Sequence, residues 1–212
     1  MANILANRKR EKLTAGIDLA NSGLRIRKQH FVRNSIFDVA IELFAAKGFD
    51  ETTVEEVAQA AGVSRASFFR YFSSKDDLLA QNVLRYGDAL TAAIKATQPS
   101  LSSFEVMKET VLAVARNTVR HPRLRQVIEI SMRSGSAMQA HNSRLIEVEG
   151  TVAAAFAERI GSSSADEIEP RLLAALTLSA MNVAILSWYR GNSQDLDAAV
   201  ERVFDSFARI AR

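Results

Sequence analysis

An all-α protein is the fold class this sequence predicts, and three observations predict it. Only three prolines and nine glycines interrupt 212 residues, and the intervals are filled by Ala, Leu, Glu, Arg and Ile, which sustain helices. Apolar residues recur at helical spacing. The breaks between periodic stretches carry the Ser, Thr and Gly residues that start and stop helices.

Ile36, Ala40, Leu43 and Phe44 stand at i, i+4, i+7 and i+8 and predict one apolar stripe on a helix from about Arg33 to Lys47, stopped by Gly48. Thr53 with Glu56 three residues on is a capping-box pattern and opens a short helix to about Ala60. Ala61-Gly62-Val63 reads as a turn. Ser64 caps a helix from Arg65 to about Tyr71, and Ser73 or Ser74 caps a longer one from Lys75 to about Ala96. Beyond Pro99, longer amphipathic segments are expected at roughly 102–120, 122–133, 136–160, 166–189 and 193–210.

Composition narrows the function classes. Cysteine is absent, which removes disulfides and cysteine-based metal or redox chemistry and suits a reducing cytoplasm. No apolar run approaches the roughly 20 residues that span a bilayer, so no membrane partner is expected. Met1 to Ala6 precedes Arg8-Lys9-Arg10 instead of following a charged segment, unlike a secretory leader. His30, His121 and His141 are scattered, with no acid triad beside them, and His121 and His141 read as surface residues. Without a glycine-rich phosphate loop or a nucleophile elbow, neither an enzyme nor a cofactor is expected.

Charge is unevenly spread. The chain carries a net +3, yet residues 1–33 hold eight basic groups against two acids. A basic end on a mildly acidic body suits contact with a polyanion at that end, although a solvated tail has the same composition.

Residues 53–71 satisfy the demands of a helix-turn-helix, in which a short second helix enters the major groove of DNA. Val57, Ala58 and Ala61 are small enough for close helix crossing, Gly62 supplies the turn, and Val63 and Phe68 face the core. Arg65, Ala66, Ser67, Phe69 and Arg70 are left toward solvent or DNA. The series Ile36, Ala40, Leu43-Phe44, Gly48-Phe49, Thr52-Thr53-Val54, Val57-Ala58, Ala61-Gly62-Val63-Ser64, Phe68-Phe69-Arg70-Tyr71-Phe72, Ser74-Lys75 and Leu78-Leu79 resembles, at its spacings, the DNA-binding domain of the TetR family of transcriptional repressors.

That resemblance implies roles residue by residue. Thr53 resembles the threonine that caps the first motif helix and touches phosphate. Ser64 caps the recognition helix, and Arg65, Ala66 and Ser67 occupy the positions that meet base edges or the flanking backbone. Arg65 is the candidate for a bidentate contact to guanine, and Ser67 for a base or phosphate. Tyr71 and Lys75 match phosphate contacts beyond that helix. Phe69 departs from the family, which most often has tyrosine there; Phe69 lacks the hydroxyl, and Arg70 is placed to replace the phosphate contact. The basic segment 8–33 is a candidate minor-groove arm, with a disordered tail or an extra helix as alternatives.

The resemblance divides the chain into the extension 1–28, a helix-turn-helix domain 29–76 and a helical effector-binding and dimerisation domain 77–212. It implies a homodimer through helices at about 166–189 and 193–210, an approximately palindromic double-stranded DNA operator, and a small apolar effector. Met107, Val111, Met132, Met181 and Trp188 are effector-binding candidates, although methionine and aromatic stripes are more often plain core. Residues 122–188 are more weakly similar to a subgroup whose C-terminal domain is described as acyl-CoA-like ligand binding. A ligand-independent or architectural DNA-binding protein is the alternative function.

Overall fold

The computed structural model describes residues 27–120, 122–191 and 195–210, and among them every regular element is an α-helix. Helix α1 spans 27–47, α2 Val54–Ala60, α3 Arg65–Tyr71, α4 Lys75–Ala96, α5 Ser103–Thr118, α6 Leu124–Arg133, α7 Gly135–Ile160, α8 Ile168–Tyr189 and α9 Leu196–Ile210. Of the proposed arm 8–33, residues 8–26 lie outside the described residues, while 27–33 are helical. Helix α1 thus begins before the expected Arg33. Its first described residues are exposed, so they carried no apolar period to read.

The caps form as their residues require. The Thr53 hydroxyl accepts from the Glu56 N–H at 3.2 Å while the Glu56 carboxylate accepts from the Thr53 N–H at 2.9 Å. Ser64 accepts from the Ser67 N–H at 3.0 Å, and Ser74, not Ser73, accepts from the Asp77 N–H at 3.0 Å. Gly62 sits at φ +67°, a left-handed turn position that strains residues bearing a Cβ, and its N–H reaches the Gln59 carbonyl at 3.0 Å.

Two apolar cores result. Ile36, Ala40, Ile41 and Phe44 of α1 pack with Phe49, Val57, Ala58, Phe68 and Phe72, and Leu78 and Leu79 of α4 join them. Ile130 of α6 and Ala137 of α7 close this head core from the other side. The second core gathers α5, α7, α8 and α9 around Phe156, Met181 and Phe204, with Leu90 and Ile94 of α4. Helix α4 therefore begins in one core and ends in the other, lying mainly along α7.

Helix α8 corrects one expectation. Among the described residues it alone is long and apolar enough to cross a membrane by length and composition. Its apolar face is used within the body, where Ala174, Met181 and Ala184 are buried and α8 packs on α5, α7 and α9. The charged Glu169 and Arg171 near its start broke the apolar run in the sequence.

Candidate DNA-binding face and effector cavity

Helix α3 presents a ready-made contact face. Phe68 is fully buried and anchors the helix, whereas Arg65, Ala66, Phe69 and Arg70 are exposed and Ser67 is half-buried. The Arg65 guanidinium lies over the Phe69 ring, 5.0 Å from its centroid, and its Nε meets a Glu55 carboxylate oxygen at 2.5 Å. Phe69 in turn stands edge-on against Phe68 at 5.5 Å. The phenylalanine that departs from the family pattern is thus a platform under the candidate base-reading arginine. The Arg65–Glu55 pair is exposed on both sides, so it holds the guanidinium weakly. Neither contact was read from the sequence; Glu55 and Arg65 fall on different helices.

Arg70 lies over the Tyr71 ring at 5.2 Å, and half-buried Tyr71 packs on the head core. Lys75 is more committed than its family role suggests. Its ammonium donates to the Phe49, Asp50 and Thr52 carbonyls at 2.7, 3.0 and 3.2 Å and lies over the Phe49 ring at 4.7 Å. These bonds occupy all three donors, so Lys75 ties the loop before α2 to α4.

At the α2 cap, Lys47 contacts the Glu56 carboxylate from α1. The Lys47 ammonium, followed by the Thr53 N–H and hydroxyl, lowers the Glu56 pKa to about 2. A depressed carboxylate contributes stability that is complete above its ordinary value near 4.5 and is lost as pH falls through about 2. Thermal denaturation between these pH values is expected to show a declining melting temperature in the native chain and a flatter decline in Glu56→Gln. Parallel declines would remove the capping box as the cause.

The head is clamped to the body by polar contacts. Asp50, in the loop before α2, accepts from Ser134 at 2.9 Å and from Ser136, and these two hydroxyls, Ser136 first, hold its pKa below the usual carboxylate value. Arg123 contacts Glu42 and Asp38, and Arg144 of α7 meets Asp77 of α4 at 3.1 Å.

Beneath the head, α4–α8 enclose a cavity of about 410 Å³ with largely apolar walls. Leu124, Val127 and Ile128 line it from the α6 side, Leu145 from α7 and Ile185 from α8. Of the five effector candidates only Met132 lines it. Met107, Val111 and Met181 are packed in the body core, and Trp188 is covered by Arg125, whose guanidinium stands 4.2 Å from its ring centroid. Their spacing marked the inward face of each helix, where packing is tight, whereas cavity walls are the half-buried flanks. His141 also corrects a reading. It is half-buried and lines the cavity, and burial pushes its pKa down. His121 lies outside the described residues.

Leu79 belongs to both sites. It is a member of the head core and it lines the cavity.

A short capped helix, an αL-glycine turn and a second capped helix with an exposed basic face define a helix-turn-helix DNA-binding protein. Two family models match the chain: bacterial regulatory proteins of the tetR family over residues 36–81, and the MftR C-terminal domain over residues 101–211. The HTH-type transcriptional regulator TcmR of Streptomyces glaucescens is 30% identical over 195 residues, covering 87% of this chain and 86% of TcmR. The chain belongs to the TetR family of DNA-binding transcriptional regulators.

Solved structures share the fold. Native NalD, the secondary repressor of the MexAB-OprM multidrug efflux pump in Pseudomonas aeruginosa, superposes with a TM-score of 0.62 at 18% identity, over 85% of this chain and 96% of that one. FadR from Bacillus subtilis in complex with stearoyl-CoA gives 0.56 at 18% identity, over 81% of this chain and 95% of that one.

Proposed function

We propose that the chain is a cytoplasmic, homodimeric repressor that leaves an approximately palindromic operator when a small, mainly apolar effector fills the cavity. The observation that carries this reading is Leu79, a single side chain on α4 shared by the head core and the cavity wall. Widening the cavity displaces the start of α4 and with it the recognition helix. A coupling of about 1–3 kcal/mol suffices for a usable switch.

Exposed apolar residues support the two-fold pairing. Leu172 and Val183 on α8 and Ile210 on α9 keep more than half of their surface open to solvent, as residues of a self-complementary patch do. The division of labour between domains 29–76 and 77–212 follows, with residues 1–28 as an added basic contact. On DNA, Arg65 and Ser67 read bases, Ala66 lets the helix approach closely, and Thr53, Ser64, Arg70 and Tyr71 hold the backbone, with Phe69 beneath Arg65.

Selection of an operator from a random duplex pool, followed by affinity measurements on it and its single-base variants, tests this reading. The selected consensus is expected to be palindromic, and an asymmetric one overturns the two-fold arrangement. Arg65→Ala is expected to cost about 1–3 kcal/mol on the consensus and to erase discrimination at one base pair per half-site. Lys75→Ala is expected to weaken every duplex alike and to lower the melting temperature, because the loop before α2 loses its tie. If Lys75→Ala leaves the melting temperature unchanged, its carbonyl contacts are not what it contributes.

A further inference from the structure

The chemistry of the effector can be narrowed from the cavity walls, an inference that rests on the effector-cavity reading above. Among the described residues no carboxylate lines the cavity, and Arg85 of α4 is the one permanently charged wall residue. Several body cations are paired: Lys95 meets Glu158 at 2.6 Å, Arg116 meets Asp197 at 2.6 Å and Arg144 meets Asp77 at 3.1 Å. Arg85, by contrast, has no ion pair, hydrogen bond or ring contact among the described residues. Its side chain is exposed, which puts the guanidinium at the cavity mouth and leaves the apolar walls of α6 and α8 behind it.

The remaining polar groups are neutral. Asn117 and Thr118 come from α5, Asn142 from α7 and Asn182 from α8. Asn117 donates to the Ala113 carbonyl at 3.3 Å and Thr118 to that of Val114 at 2.8 Å. Burial holds His141 toward its uncharged form, so it adds no second cation near neutral pH.

These walls discriminate by charge. An ammonium group entering them meets a guanidinium and no acid, and its lost hydration is not replaced. A carboxylate meets an unpaired planar fork of N–H donors, the geometry that favours charge-assisted bidentate bonding. We propose that the effector is an organic anion, with its carboxylate or comparable acidic group on the Arg85 guanidinium at the mouth and its apolar body between α6, α7 and α8. Such a ligand grips α4 near Leu79, and so pulls on the helix that enters the head core.

Three fluorescent probes with one body and different heads test this: 1-pyrenebutanoate, 1-pyrenebutanol and 4-(1-pyrenyl)butylammonium, titrated into the full-length chain at about 0.15 M salt to screen distant charges. The carboxylate is expected to bind about tenfold or more tighter than the alcohol, with the ammonium weakest. In Arg85→Gln the carboxylate falls to the affinity of the alcohol, which is unchanged. In Met132→Trp, which narrows the cavity from a partly exposed wall position, all three probes weaken. Equal affinities for the three heads, or a carboxylate preference that survives Arg85→Gln, overturn the anion assignment and leave the cavity reading standing. If no probe binds, or Met132→Trp changes nothing, the cavity reading itself fails and the assignment with it.

Discussion

Phe68→Ala is expected to abolish operator binding on every sequence while Phe69→Ala, one residue on, leaves the head folded. Phe68 has no exposed surface, and it packs against Phe72 and Phe69 with ring centroids 5.6 and 5.5 Å away. Truncating a fully buried phenylalanine costs about 3–5 kcal/mol, combining lost transfer free energy with the cavity left behind. The head core is small and rests on two seven-residue helices, so that loss is a large share of its stability. Phe69 is 42% exposed and supports Arg65 from below. Its removal is expected to cost under about 1 kcal/mol of stability and to weaken the base contact that Arg65 makes. Limited proteolysis and operator affinity, measured on both variants, separate the two effects. Early cleavage within α2 and α3 is expected for Phe68→Ala alone; equal sensitivity of both variants would mean that Phe69 is a core residue as well.

The head was legible in the sequence because its constraints are local. A cap, a turn glycine and a cap three residues from its N–H donor each lie within one turn of chain, and Thr53, Gly62 and Ser64 stand in those conformations. Lys75 was harder to read, since its three carbonyl partners lie 23 to 26 residues away. The cavity was largely illegible for the same reason. Its walls come from five helices, and the period of any one helix marks its most buried stripe, where Met107, Val111 and Met181 fill space completely. Wall residues such as Val127 and Ile128 are half-buried in ordinary amphipathic positions, and nothing in their own spacing tells them from rim residues. Arg85 illustrates the limit most clearly, because its lack of an ion pair among the described residues is a property of the assembled surface.

Gly87→Ala is expected to destabilise the native chain and to stabilise a chain that already carries Val148→Ala. Helix α4 lies along α7 over much of its length, and Gly87 faces Val148 across this seam. A Cβ on Gly87 would come within 2.9 Å of both Val148 methyl carbons and 3.3 Å of its Cβ. Val148 is 2% exposed and cannot swing away, so the helices must part. Overpacking of this kind costs about 1–3 kcal/mol, against which alanine regains about 1 kcal/mol of helix propensity over glycine. With Val148 shortened the two 2.9 Å methyl contacts are gone and only the milder 3.3 Å approach of its Cβ remains, so the propensity gain outweighs it and the sign of the same substitution reverses. The double-mutant coupling is therefore expected at about 1–3 kcal/mol, measured by chemical denaturation of the four chains. The seam matters to function because Arg85, Tyr86 and Ala89, on the same turns of α4, line the cavity. Moving α4 from α7 by a few tenths of an ångström reshapes those walls and tilts the helix that carries Leu78 and Leu79 into the head core. Gly87→Ala should consequently change operator affinity as well as stability, and Val148→Ala should restore it. A destabilised single variant with unaltered operator affinity would show that the α4–α7 seam supports the body without setting the position of the head.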